Sequence, residues 1–339
     1  MSKENDFCKY LLKNVENEFT KKGYVTFKNK KKNIFDVKFT GNGKCFKQNL
    51  EKMFQTKISC SLYDSVVNGE GNEKEKINSI YSSSLQSLLF FHNVSEHNPL
   101  KIVIGGKNLE FTKVYFEHKN KVIGYASSID VVLVNKKRQI LFIESKLFEI
   151  IRDSYSKDNY EQHRVVGVSY LSDKEGSYNR VFGITKQNVN NLIRLGINID
   201  KNRFPYKEPL NKDDAAHIKP FGENNYVYSE GVKQVLSHLI GIKNFIDKKY
   251  CPSCEAHLRT DFKEVYFIEL YNDLPDFESR DQIDCFKNHI EAIFSKDSGI
   301  VPSEITCQLM TYQELYKTAK DNLDDPDKIM ARFYHLEDK

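Results

Sequence analysis

The sequence predicts an α/β (α+β) protein in which a block of β-strands lies between helical segments. Apolar residues make up 40% and aromatic residues 12% of the 339 residues, which is enough for a buried core. Apolar runs and alternation predict strands over 111–118, 124–134 and 139–146. Apolar residues spaced three to four apart predict helices over 7–23 and 228–247.

Shorter or weaker patterns predict the remaining elements. In chain order we expect a strand over 34–39, a helix over 72–92, a helix-like stretch over 150–164, a strand over 178–184, a helix over 186–195, a surface loop over 200–225, a strand over 263–270, a helix over 282–294 and a charged tail from Asp321.

The positive charge of the chain is concentrated at its beginning. Residues 1–60 contain 14 Lys, no Arg and 6 Asp or Glu, whereas the formal net charge of the whole chain is only +4. A clustered positive face is typical of a protein that binds a polyanion, because neutralised phosphates release condensed counterions. A solvated lysine-rich surface explains the same charge equally well.

The cysteines and the apolar runs bear on the compartment. The seven cysteines are irregularly spaced, which argues against a disulfide framework and favours reduced thiols. No run approaches eighteen apolar residues, and the N-terminus lacks the basic-then-apolar pattern of a signal peptide. We therefore expect a cytoplasmic protein that does not contact a membrane.

Three charged residues fall inside an otherwise apolar predicted β-hairpin. The apolar runs 129–134 and 140–146 are joined by five polar residues, and the register of such a hairpin places Asp130 opposite Glu144. Because side chains alternate along a strand, Glu144 and Lys146 share one face. Two carboxylates and an ammonium group are thus expected to meet at one end of a small sheet.

Charged groups beside a core are costly unless they are paired or bind a metal ion. Asp130 and Glu144 are hard oxygen ligands of the kind that Mg²⁺ prefers, and Mn²⁺ is expected to substitute. Lys146 could orient or deprotonate an attacking water and stabilise charge in the transition state. These residues predict metal-assisted phosphodiester hydrolysis. The alternative is an ordinary edge hairpin with three surface charges and a Glu144–Lys146 salt bridge.

This segment resembles the PD-(D/E)xK nuclease superfamily, which has the restriction-endonuclease-like fold with a mixed central sheet flanked by helices. Asp130 matches the first acid of the motif, and Glu144, Ser145 and Lys146 match its E-x-K. Ile129 stands where the motif name has Pro. The resemblance implies that the backbone carbonyl of Ser145 faces the metal ion alongside the two carboxylates.

A wider set of residues looks like a group of bacterial restriction-endonuclease-like proteins of unassigned specificity. Glu117 would be an acid on the preceding strand, either a further metal or water-positioning ligand or only a strand-end charge. Glu149 follows the lysine, and residues 228–238 resemble a later helix of that group. Gln86 and Gln234 could reach the site from helices or face solvent. The resemblance covers about residues 80–270.

The resemblance implies a Mg²⁺-dependent endonuclease of the restriction or defence type that acts on DNA, with RNA not excluded, and that works as a homodimer. We expect a basic N-terminal region at 1–75, the nuclease core at 76–270, and a C-terminal helical extension at 271–339. The alternative function is a catalytically inactive nucleic-acid-binding module that retains the nuclease fold.

A second candidate site is a zinc knuckle. Cys251 and Cys254 form a C-x₂-C pair, His257 follows, and Cys285 would be the fourth ligand of a structural Zn²⁺. Free thiols in a loop are the alternative to a zinc-knuckle scaffold. His238 lies in a helical pattern and is expected to be structural.

Overall fold

The structure is a computed structural model. It describes residues 3–15, 19, 22–30, 34–40, 43–69, 77–122, 126–150, 228–249, 258, 261–274, 277, 280–320 and 325–337. The helices are α1 (Lys3–Leu12), α2 (Gly43–Met53), α3 (Cys60–Val67), α4 (Ser83–Phe91), α5 (Tyr228–Ile246), α6 (Arg280–Phe294), α7 (Tyr312–Ala319) and α8 (Asp325–Phe333). The strands are β1 (Val25–Lys30), β2 (Ile34–Phe39), β3 (Leu100–Ile104), β4 (Lys107–Phe111), β5 (Lys113–Lys121), β6 (Ala126–Val134), β7 (Gln139–Lys146), β8 (Glu264–Tyr271) and β9 (Ile305–Thr311).

A five-stranded mixed sheet forms the centre of the described fold. Its order is β5-β6-β7-β8-β9, with antiparallel pairing from β5 to β7 and parallel pairing from β7 to β9. Two small hairpins, β1-β2 and β3-β4, complete the described strands. The α/β fold class is therefore confirmed. The strands β7 and β8 are buried along almost their whole length because both have neighbours on each side and both faces covered.

The predicted register of the β6-β7 hairpin is confirmed. The pairing runs from Val134 opposite Ile140 to Val131 opposite Ile143. The recorded pairing ends there, so Asp130 and Glu144 occupy the next positions on the two strands. The hairpin thereby delivers both carboxylates to the same end of the sheet.

Helix α5 corresponds to the predicted helix over 228–247, and it covers this part of the sheet. It packs closely on β5, since a Cβ atom added at Gly241 would lie 2.8 Å from the Cβ atom of Asn120. The rings of Phe245, His118 and Phe142 meet beside this contact. Glycine at position 241 thus lets the helix approach the strand.

The expected charged tail from Asp321 is wrong over its described part. Residues 325–333 form α8, and Met330, Phe333 and Tyr334 are buried in the main core. His335 stacks on Tyr10 with ring centroids 4.1 Å apart, and its Nε2 lies 2.7 Å from the Tyr10 carbonyl oxygen. These contacts join the two ends of the described chain in one hydrophobic core.

Several predicted elements have different bounds or lie outside the described residues. Of the helix expected over 72–92, residues 83–91 form α4, turns and a bridge at Ser79 occupy 77–81, and residues 72–76 lie outside the described residues. Strand β9 joins the central sheet from beyond residue 270. The elements expected over 178–184, 186–195 and 200–225 lie outside the described residues. Within the described ranges no helix is both long and apolar enough to cross a membrane.

Candidate active site

The end of β7 carries a buried ion pair. The Lys146 ammonium donates a hydrogen bond to Glu144 Oε1 over 2.5 Å, and both side chains are buried. Positions 144 and 146 therefore share one face of the strand, as alternation predicts. Because the pair is buried, the alternative prediction of a surface hairpin with an exposed Glu144–Lys146 salt bridge is wrong.

Asp130 binds the backbone of the same segment. Its Oδ2 accepts a hydrogen bond from the Ser145 amide over 2.7 Å. The carboxylate thus takes a backbone donor of β7 just beyond the last recorded pair of the hairpin. This contact fixes Asp130 beside the Glu144-Ser145-Lys146 segment.

Helix α5 supplies two further contacts to Glu144. Gln234 donates a hydrogen bond to Oε1 over 3.3 Å, and the Nε2 of His238 lies 3.0 Å from Oε2. The other ring nitrogen of His238 lies 2.8 Å from Ser127 Oγ. His238 is buried, and its position against Glu144 places it in the candidate site, which the helical pattern alone did not indicate.

Glu117 lies beside Asp130 in an unusual backbone conformation. The β5-β6 pairing continues on both sides of these two residues but does not include them. Glu117 has φ of 53°, in the left-handed region that is rare for non-glycine residues. Ser128 donates a hydrogen bond to its Oε2 over 2.8 Å. Gly69 leaves room for this side chain, because a Cβ atom there would lie 2.7 Å from Glu117 Cγ.

Two other residues named from the sequence make no hydrogen bond with the described residues of this cluster. Glu149 accepts hydrogen bonds from Ser83 and from the Leu147 amide, which assigns it to the turn after β7. Gln86 is completely buried in α4, and its amide has no hydrogen-bond partner among the described residues. Gln86 therefore does not face solvent.

A third acid, Glu269, was not predicted as a site residue. Strand β8 pairs with β7 so that Glu269 lies directly beside Glu144. Glu269 is fully buried, and neither carboxyl oxygen has a hydrogen-bond partner in the described part of the chain. Its signal in the sequence is the same as that of Glu144, an acid that follows a run of apolar strand residues.

The close acids shift one another's protonation. Burial raises the pKa of Asp130 well above its ordinary range, and Glu144 and Glu117 raise it further. Burial also raises the pKa of Glu269 to about 8. Burial opposes ionisation of Glu144, but Lys146 and His238 outweigh it and lower the pKa of Glu144 to about 2. Burial would lower the pKa of Lys146, yet Glu144, Glu269 and Asp130 outweigh it and raise that pKa.

Asp130 and Glu144 are hard oxygen donors of the kind that a single Mg²⁺ ion binds. Glu144 Oε2 has only His238 Nε2 beside it among the described residues, 3.0 Å away, and the charged form of Asp130 is disfavoured by burial and by the neighbouring Glu144 and Glu117, which a cation would relieve. No group of three or more His, Cys, Asp or Glu side chains among the described residues is arranged to hold a metal ion. Mg²⁺ does not require one, because it commonly binds one or two carboxylates together with water and substrate oxygens.

Tyr312 holds the middle residue of the motif in place. Its hydroxyl is hydrogen-bonded to Ser145 Oγ over 2.8 Å and to Ser87 Oγ over 3.2 Å, and all three groups are buried. Helices α4 and α7 are thereby connected to the end of β7. No local sequence pattern indicates this contact, because Tyr312 is distant along the chain.

We expect Tyr312→Phe to lower the free energy of unfolding by about 1–3 kcal/mol, because it leaves two buried serine hydroxyls with fewer partners. Tyr334→Phe is the matched control. Tyr334 is also buried, but its hydroxyl has no partner among the described residues, so its removal should cost little. Urea denaturation of the two variants measures the difference. Equal losses would show that the Tyr312 hydroxyl does not support the motif.

The predicted zinc site lies mostly outside the described residues. Cys251, Cys254 and His257 are not described, and only the backbone of α6 is described at Cys285. The described cysteines with side-chain positions, Cys8, Cys45, Cys60 and Cys307, carry free thiols. The zinc knuckle stays a prediction.

Comparisons of the chain with known protein families, with curated proteins and with solved structures give no match.

Proposed function

We propose that this chain is a Mg²⁺-dependent endonuclease that hydrolyses phosphodiester bonds in DNA. The arrangement that supports the proposal is the meeting of Asp130 with the Glu144-Ser145-Lys146 segment at the end of β7. Asp130 binds the Ser145 amide, and Lys146 is paired with Glu144 in a buried position. A protein gains little stability from such a buried ion pair, which makes chemistry the better reason for it.

Each residue has a role in this proposal. Asp130 and Glu144 would hold Mg²⁺ through carboxylate oxygens, together with the Ser145 carbonyl. The bound ion would supply Lewis-acid stabilisation of the scissile phosphate and activate the attacking water. Lys146 would orient that water and stabilise the negative charge that develops on the phosphate. Gln234 and His238 would hold the Glu144 carboxylate in position.

The proposed substrate and setting follow from charge and from the family resemblance. The lysine-rich first 60 residues would contact the phosphates that flank the cleaved bond. Action as a homodimer in defence against foreign DNA is proposed from the resemblance alone. Free thiols at the described cysteines favour a reducing compartment, so we place the activity in the cytoplasm.

The proposal is tested by plasmid cleavage. Supercoiled plasmid is incubated with the full chain in Mg²⁺, Mn²⁺ or EDTA, beside Lys146→Ala. We expect nicked and linear products only with a metal ion and only from the wild type. If folded wild type cleaves neither DNA nor RNA with either metal, the nuclease proposal is wrong, and the inactive nucleic-acid-binding module replaces it.

We expect Lys30, Lys31 and Lys32, changed together to Gln, to weaken DNA binding similarly for all sequences. Phosphate contacts are independent of base sequence, and each phosphate that is no longer neutralised should reduce the slope of log K against log salt concentration by about 0.9. Fluorescence anisotropy with duplex DNA at several salt concentrations measures the slope. An unchanged slope would show that these lysines form only a solvated surface. Lys317→Gln, an exposed lysine on α7, is the control.

A further inference from the structure

Glu269 has no structural reason to be an acid. Its carboxyl group is completely buried, and neither oxygen has a hydrogen-bond partner among the described residues. A buried polar group without a partner costs about 1–3 kcal/mol. Phe267 and Tyr271, which share its face of the strand, are aromatic and buried, so an apolar side chain would suit this position better. The acid therefore needs an explanation outside stability.

The position of Glu269 relates it to Lys146. Strands β7 and β8 are parallel and in register, so Glu269 and Glu144 lie side by side on adjacent strands. The charge of the Lys146 ammonium interacts most strongly with Glu144 and next with Glu269. Lys146 thus has four carboxyl groups within its electrostatic reach, those of Glu144, Glu269, Asp130 and Glu149, and among the described residues it is bonded only to Glu144.

Glu144 would have to serve several partners at once. Lys146 and Gln234 both donate to its Oε1, and His238 lies against its Oε2. A metal ion that binds Glu144 competes with the Lys146 ammonium for the same carboxylate. An ammonium that is displaced without a new partner would be a buried, unpaired charge, which is strongly unfavourable.

We propose that Glu269 is a positioning residue for Lys146, which accepts the ammonium group when Glu144 binds the divalent metal ion. This inference rests on the proposed function. Glu269 then keeps Lys146 charged and beside the scissile phosphate, and it frees Glu144 for the metal. Without the Glu269 carboxylate, the ammonium stays on Glu144 and weakens metal binding.

The test measures Mn²⁺ binding by the full chain, without DNA, by isothermal titration calorimetry. We expect Glu269→Gln to bind Mn²⁺ at least about tenfold more weakly than the wild type, the loss typical of residues that support metal ligands. Glu269→Asp keeps the carboxyl group and should lie near the wild type. Glu264→Gln, the same change on the same strand at a half-exposed ion pair with Lys107, should leave binding unchanged.

A double variant separates positioning from general damage. Lys146→Met combined with Glu269→Gln removes the competing ammonium and should restore Mn²⁺ binding to within about threefold of the wild type, whereas a merely structural role for Glu269 predicts weak binding in both variants. If that double variant does not fold, the contrast between Glu269→Gln and Glu269→Asp decides. Equal Mn²⁺ affinity of wild type and Glu269→Gln overturns the inference alone. A wild type that binds no Mn²⁺ overturns the proposed function as well.

Discussion

Asp130→Asn is expected to reduce DNA cleavage by at least about 10³-fold and at the same time to stabilise the fold. Loss of a carboxylate ligand removes several kcal/mol of transition-state stabilisation, and each 1.36 kcal/mol is a factor of about ten in rate. The amide oxygen of Asn can still accept the hydrogen bond from Ser145. The variant therefore removes charge without removing the contact that shapes the site.

The stabilising effect of Asp130→Asn follows from the direction of its pKa shift. Burial and the charges of Glu144 and Glu117 raise the pKa of Asp130, so the folded protein loses stability as the pH rises above the ordinary range of an Asp carboxyl. A neutral Asn avoids this loss. We expect a gain of roughly 0.5–2 kcal/mol near neutral pH, the range typical of single stabilising changes.

Single-turnover cleavage assays and urea denaturation at pH 7 measure the two effects of Asp130→Asn. Ser128→Ala, which removes a donor to Glu117 but leaves Asp130 intact, is the control for general disturbance. A variant that is inactive because it is unfolded would contradict the account, as would one that keeps wild-type activity.

Lys146→Met is expected to abolish cleavage and to lower the free energy of unfolding by about 3–5 kcal/mol. Removing one member of a buried ion pair leaves the other charge uncompensated. Glu144 is that charge, since Lys146 and His238 outweigh burial and lower the pKa of Glu144 to about 2. The variant thus differs from Asp130→Asn in the sign of its effect on stability.

The loss caused by Lys146→Met should depend on pH. A carboxyl whose pKa is lowered in the folded state contributes stability above its unfolded pKa, and this contribution is lost as the pH falls through the folded value. The difference between wild type and variant should therefore be largest near pH 7 and should shrink as the pH falls from about 4.5 toward about 2. Urea denaturation at pH 7 and at pH 4 measures the change.

Lys243→Met is the matched control for that experiment. Lys243 lies on α5 and forms ion pairs with Asp247 and Glu304. These side chains are nearer to solvent than those of Lys146 and Glu144. Partly exposed pairs contribute about 0–1 kcal/mol, so this variant should be nearly neutral. A loss at Lys146 no larger than at Lys243 would show that the Lys146 pair is not a buried, uncompensated charge in solution.

The parts of the fold that could be predicted from the sequence are those set by local patterns. The β6-β7 hairpin was predicted with its register, because two apolar runs joined by a short polar turn leave few alternatives. Helix α5 was predicted because its apolar residues keep a helical period over several turns. The positions of the site residues on the hairpin followed from its register and from the alternation of side chains along a strand.

The parts that were missed depend on contacts between distant segments. Glu269 reaches Glu144 through parallel pairing of β7 with β8, and no local pattern fixes that register. His238 and Tyr312 come from helices whose packing on the sheet is likewise not written in local spacing. The expected tail from Asp321 was wrong because its acidic residues hid the apolar positions that α8 buries.

The central claim is that Asp130 and Glu144 hold the metal ion that acts on DNA. The most direct measurement replaces that ion with Fe²⁺ and adds ascorbate and peroxide, so that hydroxyl radicals cut the chain beside the bound iron. We expect fragments that end near residues 130 and 144, suppressed by excess Mg²⁺ and absent in Asp130→Asn. Cuts confined to other segments, or cuts near these residues that persist in Asp130→Asn, would contradict the account.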